Sequence, residues 1–262
     1  MSVAPRTRRD AILETIQARG HVSVKDLASE LDVSEATVRR DLRALADRRL
    51  IDLVYGGATI RRSVEESVAS RAGQNASAKR VIGQLASDLV ADGDMIYVDS
   101  GSTCFEMCPG LRRRRDLTVI VNSTRLALEL GPCPEITLIQ LGGHYRPERM
   151  DFVGPLAANA IDQLRGYTAF LGADGLSLEF GISATDIQTA YLYQHVIKNA
   201  RDAVLLVDHT KFQAPSLFRI ADLEAVSRIV TDLPPSDEWR EALAARGIDL
   251  VCPDPEHQPI GE

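Results

Sequence analysis

The sequence predicts an α/β chain in two parts: a small N-terminal helical unit closed by a hairpin, then a larger α/β domain with a mainly parallel sheet. Three observations carry that expectation. Apolar residues recur at helical spacing through the first sixty positions, then give way to short apolar runs separated by helix-like segments. Charge changes at the same place: Met1–Arg62 holds 12 Lys/Arg against 9 Asp/Glu, while the remainder holds 18 against 28. Apolar residues make up 45% of 262, enough at this length to build cores in two domains.

The first helix is expected to bury Ile12, Leu13 and Ile16 and to stop at Arg19-Gly20. Ser23 with Asp26 three residues on marks the start of a second helix with Leu27, Ala28 and Leu31 on its apolar stripe. Ser34 caps a third, which buries Val38, Leu42 and Leu45 at i, i+4 and i+7. "LIDLV" and "ATI", joined by Tyr55-Gly56-Gly57, suit a hairpin. Three helices and a hairpin over 1–62 are the plan of a winged helix-turn-helix. Residues 63–77 carry few large apolar side chains and read as a linker; 78–252 form the α/β domain, and the Pro-rich 253–262 is a tail. In the larger domain "DMIYVDSG", "LTVIVNST", "ITLIQLGG", "YTAFLGADG", "AVLLVDHTK" and "RIVTD" are expected to be buried parallel strands.

Chemistry concentrates in two places. The second helix of a helix-turn-helix enters the major groove with its N-terminal residues toward base edges. Here it would present Ser34, Glu35, Thr37, Arg39, Arg40 and Arg43, with Arg61 and Arg62 following the wing. Arginine forks onto guanine O6 and N7 or pairs with phosphate, and Thr37 permits close approach. The alternative is a solvated face in which Arg39 and Arg40 sit beside Glu35 and Asp41, with Ser34 simply the cap. The second place is the carboxyl ends of the strands, where open parallel sheets bind ligands. Asp99, Ser100, Gly101, Ser102 and Thr103 form a small-residue turn into a helix, which suits an anion or is an ordinary capped turn. Asn122 and Ser123, Gly142 and Gly143, then Gly172, Asp174 and Gly175, and finally Asp208 and Lys211 end the other runs, and Lys79 opens the domain. These are the candidate effector residues; a turn aspartate and a surface lysine are the plainer roles for Asp174 and Lys211.

Composition excludes other classes. Four cysteines without a regular framework do not make a secreted disulfide scaffold. Cys104 and Cys108, four apart, with Cys133 and His144 elsewhere, lack the paired spacing of structural zinc, and no metal or cofactor is expected. The N-terminus has no apolar stretch behind its charges and no run is long enough to span a bilayer, so a soluble, cytoplasmic protein without membrane contacts is expected. Arg112–Arg115 solvates a loop or offers a second nucleic-acid patch, and His195 is read as structural.

"VSEATVRRDLRALADRRLI" followed by "YGGA" resembles the N-terminal signature of the DeoR family of bacterial transcriptional regulators. That family usually has a basic or polar residue, often His, before the paired glycines; Val54-Tyr55 stands here. From Lys79 to Asp232, "DSGST", "VNST", "GG", "FLGADG" and "DHTKF" resemble its effector domain in order. The resemblance implies a fold similar to ribose-5-phosphate isomerase and a phosphorylated sugar as effector. "GISATDIQTAYLYQHVI" departs from it, lacking a Glu near Thr189 and basic residues near Tyr193 and Gln194. The function expected is a repressor of a carbohydrate-catabolism operon, a homodimer or tetramer on operator DNA. The alternative is an isomerase with an attached helical domain. Isomerases carry an acidic run resembling "DGADE"; "LGADG" here keeps only Asp174, and a cradle without its acids reads as a sensor.

Overall fold

The computed structural model describes residues 8–9, 11–12, 15–16, 21–47, 51–54, 56–60 and 68–253. The expectations for Leu13, Arg19-Gly20, Tyr55, Arg61, Arg62 and the last nine residues lie outside them. The chain divides into two compact units, Met1–Glu65 and Glu66–Glu262.

In the first unit, helices Val24–Glu30 and Glu35–Asp47 pack on a core of Ile12, Ile16, Leu27, Val38, Leu42, Leu45 and Ile51. Ser23 Oγ accepts from Asp26 N at 3.0 Å and caps the first of these helices. Strands β1 (His21–Ser23), β2 (Ile51–Val54) and β3 (Gly57–Ile60) form an antiparallel sheet in the order β1-β3-β2. The hairpin expected at the wing is present, with Gly56 at φ +78° in its turn. The third strand, β1, was not expected, because three residues carry no readable alternation. It explains Gly57: a Cβ there would stand 2.0 Å from the Val22 carbonyl oxygen.

In the second unit, β4 (Met95–Val98), β5 (Leu117–Val121), β6 (Ile136–Gln140), β9 (Thr168–Gly172), β12 (Asp202–Leu206), β14 (Arg228–Val230) and β15 (Asp249–Val251) form one seven-stranded sheet. Its order is β15-β14-β12-β9-β4-β5-β6, with every pairing parallel. The six expected strands are all in it; β15 is the addition. Along the chain between β6 and β9 come β7 (His144–Arg146) and β8 (Asp151–Val153), a separate antiparallel pair. A second small sheet joins β10 (Gly175–Ser177), β11 (Gly181–Ala184) and β13 (Phe218–Ala221).

Alternation along the central strands fills both faces of the sheet. Ile96, Val98, Val119, Phe170 and Val204 pack on one side against Ile82 and Ala86 of helix Ala76–Asp88. Tyr97, Ile120, Ala169, Leu171 and Leu205 pack on the other, against helices Pro155–Ile161 and Ile187–Asn199. The chain builds β4, β5 and β6 outward in one direction, then returns to lay β9 on the other side of β4. The sheet order therefore reverses between β4 and β9, the place where open α/β sheets leave a crevice. One expectation needs correction: the presumed linker is helical at Val68–Gly73, eight residues before Ala76–Asp88 begins. Its composition hid this, since a short helix can be held by polar contacts instead of an apolar stripe.

Candidate functional site

On helix Glu35–Asp47 the inward residues are Val38, Asp41, Leu42 and Leu45. Glu35, Arg39, Arg40 and Arg43 are exposed, as is Ser34, and Thr37 is half-buried. Ser34 Oγ accepts from Thr37 N at 3.2 Å and lies 2.9 Å from Thr37 Oγ1, so it serves as cap whatever else it does. Arg39 Nη2 donates to Glu35 Oε2 at 2.8 Å across one turn. Asp41 does not share that face; it is buried and accepts from Arg8 Nε at 2.6 Å. A buried ion pair thus anchors the inner face of the helix, and the outer face keeps three arginines in solvent. Arg61, the candidate wing contact, lies outside the described residues.

The carboxyl ends of β4, β9 and β12, which are neighbours in the sheet, surround a cavity of about 150 Å³. Asp99, Ser100, Gly101, Ser102 and Thr103 follow β4; Gly172 and Asp174 follow β9; Asp208 and Lys211 follow β12; and Lys79 reaches in from helix Ala76–Asp88. These expected residues converge there. Asn122, Ser123, Gly142, Gly143 and Gly175 are not in the lining. The first four follow β5 and β6, which stand one and two strands farther out. Asn122 accepts from Tyr97 Oη at 3.1 Å and donates to the Phe152 carbonyl at 3.0 Å, a structural bridge. Ser123 caps helix Thr124–Leu130. A Cβ on Gly143 would stand 2.6 Å from the Val153 carbonyl oxygen, and one on Gly175 would stand 2.3 Å from that of Ala214, so packing accounts for both glycines.

Sequence reading missed Arg71, Gln74 and Asn75 from the presumed linker, Arg149 from the loop between β7 and β8, and Ala173, Ala184, Thr189, Tyr193 and Thr210. "RPER" offered a basic signal for Arg149, but nothing local gave its direction.

The charges in the cavity are held by specific partners. Asp99 is buried and accepts from the Tyr193 hydroxyl, from Ser100 Oγ at 3.3 Å and from Gly172 N at 3.3 Å. Burial raises its pKa above the ordinary carboxylate range, and the Tyr193, Gly101 and Gly172 hydrogen bonds oppose that rise. Gly101 permits this packing, since a Cβ would stand 2.7 Å from Asp99 Oδ2. Asp174 accepts from Arg71 Nη1 at 3.2 Å and from both Thr185 N and Thr185 Oγ1 at 2.8 Å. Burial pushes its pKa up, but Arg71, the Thr185 bonds and Arg149 outweigh this and hold it below the ordinary value. Asp208 likewise sits below it: burial is offset by hydrogen bonds from Thr210, by Lys211 and by Asn75. Lys79, itself buried, donates through Nζ to the Arg71 carbonyl. Burial lowers its pKa; Asp208 opposes, while Lys211 and Arg71 add like-charge repulsion. Arg149 Nη1 donates to Thr189 Oγ1 at 3.2 Å. The cavity therefore gathers four cations, Arg71, Lys79, Arg149 and Lys211, with hydroxyls beside them.

Cys104 and Cys108 fall on separate short helices, Ser102–Phe105 and Cys108–Leu111, and both are buried thiols. Among the described residues no cluster of three potential ligands occurs. His195 Nδ1 stands 3.0 Å from Asp162 and edge-on to Tyr191, a structural pairing. In the arginine run, Arg112 pairs with Glu129 and Arg114 donates to the Ser87 carbonyl at 2.9 Å.

Residues 8–64 match the DeoR-like helix-turn-helix domain and residues 74–233 the DeoR C-terminal sensor domain. Among curated proteins, the HTH-type transcriptional regulator GlpR of Haloferax volcanii is 31% identical over 94% of this chain and 97% of its own. The HTH-type transcriptional repressor CsqR of Escherichia coli is 30% identical over 94% and 95%, and the glycerol-3-phosphate regulon repressor of the same organism 26% over 93% and 97%. Among solved structures, ribose 5-phosphate isomerase A of Methanocaldococcus jannaschii overlaps 53% of this chain and 55% of its own, at 23% identity and a TM-score of 0.39. No helix among the described residues is long and apolar enough to cross a membrane. A helix-turn-helix match at one end, a sensor-domain match over most of the rest and similarity to named regulators along nearly the whole length leave one assignment: this chain belongs to the DeoR family of transcriptional regulators.

Proposed function

We propose that the chain is a cytoplasmic repressor that holds operator DNA through helix Glu35–Asp47 and releases or tightens it when a phosphorylated sugar enters the cavity. The observation that carries the effector half is the convergence of Arg71, Lys79, Arg149 and Lys211 on one small cavity beside Ser100, Ser102 and Thr103. The lining sets these four cations against the carboxylates Asp99, Asp174 and Asp208; an anionic group engages the cations through charge-assisted hydrogen bonds while the hydroxyls and carboxylates engage a polyol. On the DNA side, Thr37, Arg39, Arg40 and Arg43 would meet phosphates and base edges, with Ser34 as cap, Glu35 beside Arg39, and Arg61 following the backbone. Paired half-sites are expected if two copies bind together.

The sensor reading is favoured over an isomerase by the state of Asp174. Aldose–ketose isomerisation needs a carboxylate to move a proton beside the carbonyl; Asp174 is held by Arg71 and Thr185 without ligand, and the carboxylates that flank it in the isomerase run are replaced here by Leu171 and Gly175.

The test is capture of genomic DNA fragments by the purified protein at roughly physiological salt, where non-specific phosphate binding is weak. Sugar phosphates are then titrated against the enriched fragments, with Lys79→Ala beside the wild type. The expected result is selective enrichment that sugar phosphates modulate in the wild type, and a response weakened roughly ten- to hundredfold in the variant, the scale of a charge-assisted hydrogen bond. Enrichment with an unchanged response in Lys79→Ala removes this cavity from effector binding; no enrichment with or without sugar phosphates removes the operator reading.

A further inference from the structure

Helix Val68–Gly73 is the first described element after the winged-helix unit; it packs beside helix Ser102–Phe105, and Arg71 bonds it to the cavity. Two bonds converge on that residue. Its guanidinium donates to Asp174 Oδ1 at 3.2 Å, and its backbone carbonyl accepts from Lys79 Nζ. Both bonds are made with groups that line the cavity. Asp174 does not depend on Arg71 alone, because Thr185 N and Thr185 Oγ1 each donate to its other oxygen at 2.8 Å. Lys79 is differently placed: it is buried, with the carboxylate of Asp208 and the cations Lys211 and Arg71 around it.

An anion entering the cavity meets groups already committed to one another. A dianion offers Lys79 more than a neutral carbonyl does, and offers Arg71 more than a carboxylate shared with Thr185. We infer that the anionic group of the effector exchanges partners with this pair, drawing Arg71 from Asp174 and Lys79 from the Arg71 carbonyl, so that helix Val68–Gly73 loses two of its bonds to the sensor body on binding. The exchange makes Arg71 a ligand-binding residue placed on the segment that leads to the DNA-binding unit. Ligand occupancy thereby changes how that segment is held, which is the differential contact a switch requires. The inference rests on the reading that the cavity takes a phosphorylated ligand.

The experiment uses the full chain with inorganic phosphate as probe, because phosphate contains the anionic group and no sugar hydroxyls. Calorimetric titration is run on the wild type, Asp174→Asn, Arg71→Ala and Lys79→Ala, and hydrogen exchange of residues 68–73 is followed in the wild type with and without phosphate. Asp174→Asn removes the competitor for Arg71 while keeping an oxygen for Thr185. It is expected to bind phosphate about two- to fivefold tighter, the scale of a partly exposed ion pair. Arg71→Ala and Lys79→Ala are expected to bind it more weakly, and phosphate is expected to speed exchange at 68–73 a few-fold. If phosphate binds the wild type but Asp174→Asn is no tighter, or if exchange at 68–73 does not rise, the partner exchange is overturned and the cavity reading stands. If phosphate does not bind the wild type at all, both fall together.

Discussion

The winged-helix unit and the sensor unit use the same cations in opposite ways. On helix Glu35–Asp47, Arg39, Arg40 and Arg43 stand in solvent, and Arg39 leans on Glu35 through an ion pair whose two side chains are 58% and 51% exposed. In the sensor unit Arg146 is 4% exposed, and its guanidinium bonds Asp151 Oδ1 and Oδ2 at 2.8 and 2.7 Å, Asp186 Oδ1 at 2.5 Å and Thr189 Oγ1 at 3.1 Å. Water solvates the first set, so those arginines are free to change partners at little cost. The second set has lost its water and is fixed by the carboxylates that replaced it. A surface that must meet a variable polyanion suits the first arrangement, and a scaffold behind a binding cavity suits the second. The Arg146 cluster reaches that cavity directly: Thr189 also accepts from Arg149, and Ser100 Oγ donates to Asp151 Oδ2 at 3.0 Å.

The largest expected effect lies on the exposed side. Replacing Arg39 and Arg40 together by Ala should weaken operator binding by roughly a hundredfold or more, since each bidentate base contact is worth about 1–3 kcal/mol. Circular dichroism and thermal unfolding should be nearly unchanged, because an exposed i,i+4 pair contributes only about 0.3–0.5 kcal/mol. Anisotropy titration on a captured operator fragment measures the first quantity. Unaltered affinity would return the two arginines to a merely solvated face.

The buried side should behave in reverse. Arg146→Met keeps much of the side-chain volume but strands Asp151 and Asp186 without their cation. Breaking a buried pair in this way costs about 3–5 kcal/mol. Trp239 is the only tryptophan and lies in the sensor unit, so its fluorescence during urea unfolding reports on that unit. A midpoint shift equivalent to less than about 1 kcal/mol, the range of exposed pairs, would erase the distinction between the two regions.

The same contrast explains what was legible in the sequence. Strands and helices of the central layers follow from local pattern, since the apolar runs ending at Val98, Val121, Gly172 and Leu206 are buried on both faces whatever their neighbours. Site residues were legible where a motif sits at a strand end, as with Asp99 to Thr103 and Asp208 to Lys211. The sequence does not say which strand ends are adjacent. Asn122 and Gly142 were therefore grouped with them, and only the order β12-β9-β4-β5-β6 separates the strands around the cavity from those beyond it. Arg71, Arg149 and Tyr193 escaped for a related reason. The Tyr193 hydroxyl meets a carboxylate 94 positions earlier, and Arg71 meets Asp174 across 103. Contacts of that range depend on the finished topology, and no local spacing encodes them.

The smallest expected effect tests whether the exposed face is free in the sense argued. Arg39 must leave Glu35 to reach DNA, and Glu35 itself brings a negative charge toward phosphates. Glu35→Gln removes both obstacles at the loss of an acidic group from the first helical turn, where the helix dipole favours it by about 0.3–1 kcal/mol. Binding to mixed-sequence DNA should therefore tighten by about twofold, in line with an exposed i,i+4 pair, and the salt slope should steepen slightly as one more cation engages phosphate. Operator binding should tighten by the same factor if Glu35 only restrains Arg39. A carboxylate that accepts from cytosine N4 would give the opposite result on the operator alone. In that case Glu35 belongs to the reading surface, and the ion pair with Arg39 is the resting state of two specificity residues instead of one.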